Sequence, residues 1–74
     1  GDMEALFEPD TADRLDVSII TSTDGSAARW ERLFARLSDA APLPAGRLVI
    51  HDFGATPGVA RLRIEQVFEE ARHE

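Results

Sequence analysis

The sequence predicts an α/β fold, a small β-α-β-α unit with a short parallel sheet that self-association or a partner completes. Three features carry this reading: a β-branched run at Val17-Ser18-Ile19-Ile20, a second apolar run at Leu48-Val49-Ile50, and an amphipathic helical segment between them. Two strands joined through a helix make a right-handed crossover and lie parallel. At 74 residues the chain is one domain, and a domain of this size buries only about 60% of the surface its unfolded form exposes. We divide it into an amino-terminal arm, residues 1–14, and a single α/β domain, residues 15–74.

In the arm, Met3, Leu6 and Phe7 are spaced to share one side of a helical turn capped by Asp2, and Pro9 ends it. The arm is expected to lie loosely or to dock on its own sheet or a neighbouring subunit. Asp10, Asp13 and Asp16 lack the glycine and bidentate glutamate of a calcium loop, so they read as a solvated approach to the first strand. That strand spans Leu15 to Thr21. A turn, Ser22 to Ser26, leads to a helix capped by Ser26, on which Trp30, Leu33, Phe34 and Leu37 form one apolar stripe. Arg29, Glu31, Arg32 and Arg36 fall off the stripe, giving a solvated face or, second, a partner contact.

Pro42 and Pro44 stiffen the following loop, and the second strand runs from Arg47 to Phe53. Thr56 caps the last helix and Pro57 takes its first position, where a missing N–H costs nothing. Ala60, Ile64, Val67, Phe68 and Ala71 share one side of this helix, whereas Val59 and Leu62 fall away from it. Two apolar surfaces on one helix, and two strands with open edges, point to association through Leu6, Phe7, Val59 and Leu62.

Composition narrows the chemistry. With no cysteine the chain has no disulfide, thiolate metal site or thiol nucleophile, which fits a cytoplasmic setting. The net charge of −6 disfavours nucleic acid and anionic membranes. Parallel α/β sheets bind ligands beyond the carboxyl ends of their strands. That rim gathers Thr23 and Asp24 from one loop and Asp52, Gly54 and Thr56 from the other, a place for a nucleotide or small polar ligand; turn-forming and capping explain the same residues. His51 and Asp52 are strand neighbours that point to opposite faces, so they do not form a catalytic pair. No metal site, no cofactor and no catalytic residue is assigned.

Two resemblances stand beside this reading. Val17-Ser18-Ile19-Ile20, the helix at Trp30-Glu31-Arg32-Leu33, and Leu48-Val49-Ile50-His51-Asp52-Phe53-Gly54-Ala55-Thr56-Pro57-Gly58 resemble the opening of family 2 glycosyltransferases of the GT-A fold. Its strands are similar to VSIIIPTYN and IVVDDGSTDGT. The likeness implies that Thr23 and Asp52 meet the base and ribose of a nucleotide sugar. Asp24-Gly25 replaces Tyr-Asn, and Phe53 stands in place of the second aspartate. Leu43-Pro44-Ala45-Gly46-Arg47-Leu48-Val49-Ile50-His51-Asp52-Phe53 also resembles the late strand of class I methyltransferases, LxPGGxLVIHDF. Either likeness implies a fragment or a shrunken relative of such an enzyme and not a complete one. From the residues themselves the chain reads as a non-catalytic domain acting through a homo-oligomer or a larger protein partner.

Overall fold

The computed structural model describes residues 1–11, 13–21 and 27–72. The elements run β1 (Met3–Pro9), β2 (Leu15–Thr21), α1 (Ala27–Ala40), β3 (Gly46–Asp52) and α2 (Pro57–Arg72). The three strands form one sheet in the order β1-β3-β2. β2 and β3 are parallel, as two strands joined through a helix must be. β1 runs antiparallel to β3 on its other side, with Met3 opposite Asp52 and Pro9 opposite Gly46.

β1 corrects the expectation of a helical turn in the arm and of a two-stranded sheet. The i, i+3, i+4 spacing of Met3, Leu6 and Phe7 is real, but seven residues ended by proline make a poor isolated helix. The exposed edge of β3 offers the same backbone a full hydrogen-bond ladder. In the strand, Met3, Ala5 and Phe7 alternate towards the core while Leu6 points away and remains exposed. Asp2 caps no helix. Its carboxylate instead accepts a hydrogen bond from the Met3 N–H at 2.7 Å.

Gly46 is what lets β1 lie so close. A Cβ built there would stand 2.4 Å from the Glu8 carbonyl oxygen and 2.9 Å from the Phe7 ring, and the backbone has φ +149°. Only glycine is comfortable in that position.

Both helices cover one face of the sheet. Leu48 and Ile50 of β3 and Ile64 of α2 are fully buried there, joined by Met3, Trp30, Leu37, Ala55, Ala60 and Phe68. Burying each large apolar side chain contributes about 1.5–3 kcal/mol, so these residues together hold the two helices on the sheet. Phe68 meets Phe7 edge-on, with ring centroids 5.1 Å apart, and so ties α2 to β1. α1 buries Trp30 and Leu37 and half-buries Leu33 and Phe34, the stripe its spacing predicts.

Candidate functional site

At the carboxyl end of the parallel strands, Asp52 is 98% removed from solvent. Its Oδ1 accepts hydrogen bonds from the N–H groups of Gly54, at 3.1 Å, and Ala55, at 2.9 Å. Its Oδ2 accepts one from the Thr21 hydroxyl of the neighbouring strand at 3.1 Å. An aspartate does this because its short carboxylate reaches back to the backbone two and three residues on. Gly54, with φ +88°, supplies the reversal that brings those N–H groups round. Thr56 then caps α2: its hydroxyl accepts the Val59 N–H at 3.3 Å, and its carbonyl accepts that of Ala60 at 2.9 Å.

Of the expected rim residues, Asp52, Gly54 and Thr56 therefore meet in one loop, with both carboxylate oxygens engaged inside the chain. Thr23 and Asp24 lie outside the described residues, as do Ser22, Gly25 and Ser26. His51 lies on the opposite face from Asp52, half-buried, as strand alternation requires. Among the described residues no group of three or more metal-ligating side chains occurs.

The surfaces are more informative than the rim. The face without helices presents three cross-strand rows: Glu4-His51-Ile20, Leu6-Val49-Ser18 and Glu8-Arg47-Asp16. Leu6 is 58% exposed and Ile20 57%. On the helical side a groove of about 390 Å³ opens between the two helices, with Leu37, Leu43 and Phe68 in its lining beside the 54%-exposed Leu62. Arg61 and Glu65 pair at its edge, 2.6 Å apart. A second groove, about 450 Å³, follows the outer edge of β2 past Val17, Ile19, Trp30 and Phe34. Of the residues expected at an interface, Leu6 and Leu62 are exposed, whereas Phe7 and Val59 are half-buried and pack on the chain's own core.

One electrostatic contact ties the residue preceding β1 to α2. Asp2 Oδ2 lies 3.1 Å from Arg63 Nη2, and Asp2 Oδ1 accepts a second bond from Arg63 Nε at 3.3 Å. The Arg63 guanidinium, and after it the Met3 N–H, holds the Asp2 carboxyl below its ordinary value. Sequence reading missed this pair because nothing local connects residues 61 apart.

The described surface thus offers two apolar grooves, and the Asp52 carboxylate at the rim is engaged by the chain's own donors. The family model for the malonate decarboxylase delta subunit (MdcD), an acyl carrier protein family, matches residues 1–71. The chain belongs to the malonate decarboxylase delta subunit family. The malonate decarboxylase acyl carrier protein of Klebsiella pneumoniae is 63% identical over 73 residues, which cover 99% of this chain and 74% of that protein. The acyl carrier protein of the same name from Pseudomonas putida (strain W619) is 57% identical over 74 residues, all of this chain and 75% of the relative. Among solved structures, a chain of a Pseudomonas malonate decarboxylase hetero-tetramer in complex with malonate superposes with a TM-score of 0.87 at 53% identity. The match covers 95% of this chain and 74% of that one.

Membership of the delta subunit family overturns both resemblances. The chain is neither a glycosyltransferase segment nor a methyltransferase strand. What it shares with them is a parallel strand leaving through a glycine turn into a capped helix, a pattern that backbone geometry imposes on many α/β proteins. The nucleotide reading of the rim has no support among these relatives. Protein partners do: the delta subunit fold recurs inside a hetero-tetramer. No helix among the described residues is long and apolar enough to cross a membrane.

Proposed function

We propose that this chain is the acyl-carrier subunit of a malonate decarboxylase, a non-catalytic body that presents an acyl group to catalytic partners and works through protein contacts. The observation that carries the reading is its superposition, at 53% identity, on a chain of the malonate decarboxylase hetero-tetramer. Leu6 and Leu62 are the exposed apolar contacts we assign to partners. Such side chains add affinity when a partner excludes water from them.

Carrying an acyl group as a thioester takes a thiol, and a chain without cysteine needs an attached group to supply one. The described hydroxyls do not fit as its attachment point. Thr21 bonds to Asp52, Thr56 caps α2, and Thr11, Ser18 and Ser38 are exposed and line none of the described grooves. We therefore derive no step through such a group. What these residues provide is the rigid body: the Asp52 loop fixes α2 against the sheet, and α2 fixes β1.

The test is assembly. The purified chain is added to a malonate decarboxylase depleted of its acyl carrier subunit, and the mass of the complex is followed by light scattering. Incorporation to saturation at one copy per complex is expected. A complex whose mass is unchanged by excess chain overturns the reading.

A further inference from the structure

The eight basic residues of the chain are all arginines, and they divide into two groups. Arg14 pairs with Asp16, Arg61 with Glu65, Arg63 with Asp2 and Arg72 with Glu69. Arg47 sits in the sheet with Glu8 and Asp16 as its cross-strand neighbours. The other three, Arg29, Arg32 and Arg36, all lie on α1, all exposed, and none has a carboxylate within ion-pair distance among the described residues.

Their spacing of three and four residues places them along one stripe of the helix. Glu31 lies on the opposite flank, lining the groove beside β2, and Asp39 follows Arg36 one turn on without pairing with it. The arrangement works against the helix that bears it. Like charges three and four apart repel, and α1 has no acidic residue in its first turn and no basic residue in its last, the reverse of what its dipole favours. A chain that pairs four of its arginines with carboxylates and sets a fifth, Arg47, between two acidic cross-strand neighbours leaves a frustrated basic ridge here. Trp30 and Leu37, both buried, clamp the helix beneath it, so the three guanidinium groups stand on a rigid base.

We propose that the Arg29-Arg32-Arg36 ridge is the docking surface for a carboxylate-bearing face of a partner subunit in the decarboxylase assembly. The inference rests on the acyl-carrier reading and says which surface the partner holds. Carboxylates brought to the ridge relieve the like-charge repulsion and complement the helix amino terminus at once. Arginine forks suit them, because each guanidinium binds a carboxylate bidentately. The surrounding net charge of −6 repels the same acidic face everywhere else, so the ridge also orients the approach.

The experiment measures binding of the chain to decarboxylase depleted of its carrier subunit, at roughly 0.05 M and 0.5 M salt. The unaltered chain binds and weakens with salt. The R29E/R32E/R36E variant loses about 10- to 100-fold in affinity, mostly through slower association, and loses most of the salt dependence. R29K/R32K/R36K keeps the salt dependence. Circular dichroism and thermal unfolding confirm the fold of each variant, and R14E/R47E/R72E, which reverses three arginines off the ridge, controls for net charge. Wild-type affinity and salt slope in the reversed variant overturn the ridge while leaving the acyl-carrier reading intact. Failure of the unaltered chain to bind overturns both. Salt-sensitive self-association that the reversal abolishes puts a second copy on the ridge and overturns the partner proposed here.

Discussion

The Thr21 hydroxyl donates to the Asp52 carboxylate across 3.1 Å and joins the carboxyl ends of two parallel strands through side chains alone. The same carboxylate closes the turn into α2 through two backbone N–H groups. Asp52→Ala leaves those donors without their acceptor and lowers stability by about 2–3 kcal/mol, whereas Thr21→Val costs about 1 kcal/mol. Urea denaturation distinguishes them. Equal losses in the two variants would mean that the turn bonds contribute nothing beyond the Thr21 contact.

Ile64 and Leu62 lie two residues apart on α2 and differ in burial, 0% against 54% exposed. Ile64→Ala opens a cavity beneath the helix and costs about 2–5 kcal/mol, enough to unfold a large part of so small a domain. Leu62→Glu changes stability by no more than about 0.5 kcal/mol. That makes Leu62→Glu a clean probe of assembly: weakened incorporation with an unchanged melting curve is the expected result, and undiminished incorporation removes Leu62 from the partner surface.

Two glycines respond oppositely to alanine. At Gly46 the added methyl collides with the Glu8 carbonyl and forces β1 away from β3, so Gly46→Ala destabilises by at least about 1–2 kcal/mol. Gly58, inside α2 with nothing within 4 Å of a built Cβ, gains about 0.5–1 kcal/mol on the same change. Hydrogen exchange on β1 amides reads the first directly. Unaltered protection of β1 in Gly46→Ala would refute the close approach.

The Asp2–Arg63 pair makes stability depend on pH in acid. Its carboxyl titrates below the ordinary value of 3.8, held there first by Arg63. The folded state therefore binds fewer protons than the unfolded state in that range. The contribution is fully present above the ordinary value and is lost as pH falls through the lowered one. In Arg63→Ala the Asp2 titration, followed by carboxyl carbon chemical shift, moves upward. An unmoved midpoint would show that the Met3 N–H alone sets it.

The parts of this fold legible in the sequence were those written locally. Val17, Ile19, Trp30, Leu37, Ile64 and Phe68 announced their elements by period and spacing, and Thr56-Pro57 marked the start of α2 within the chain. β1 was not legible, because Met3, Leu6 and Phe7 satisfy a helical spacing while only Met3 and Phe7 share a strand face, and the choice is made by β3 more than thirty residues on. The loop at Asp52 was half legible: its position at a strand end was clear, but a carboxylate that faces a ligand and one that closes its own turn have the same sequence. The resemblance to nucleotide-binding enzymes failed for that reason.

The contact of Phe7 with Phe68, and of Asp2 with Arg63, has a consequence for synthesis. The sheet neighbour of β1, β3, and its covering helix, α2, are synthesised only after β2 and α1. Until then β1 is a short strand without a partner, and β2 has no parallel neighbour to pair with. The unit therefore folds as a whole after translation of α2, in one late step of high contact order. A chain truncated within α2 leaves the core face of β1 and β3 uncovered, an apolar surface on which chaperones and proteases act.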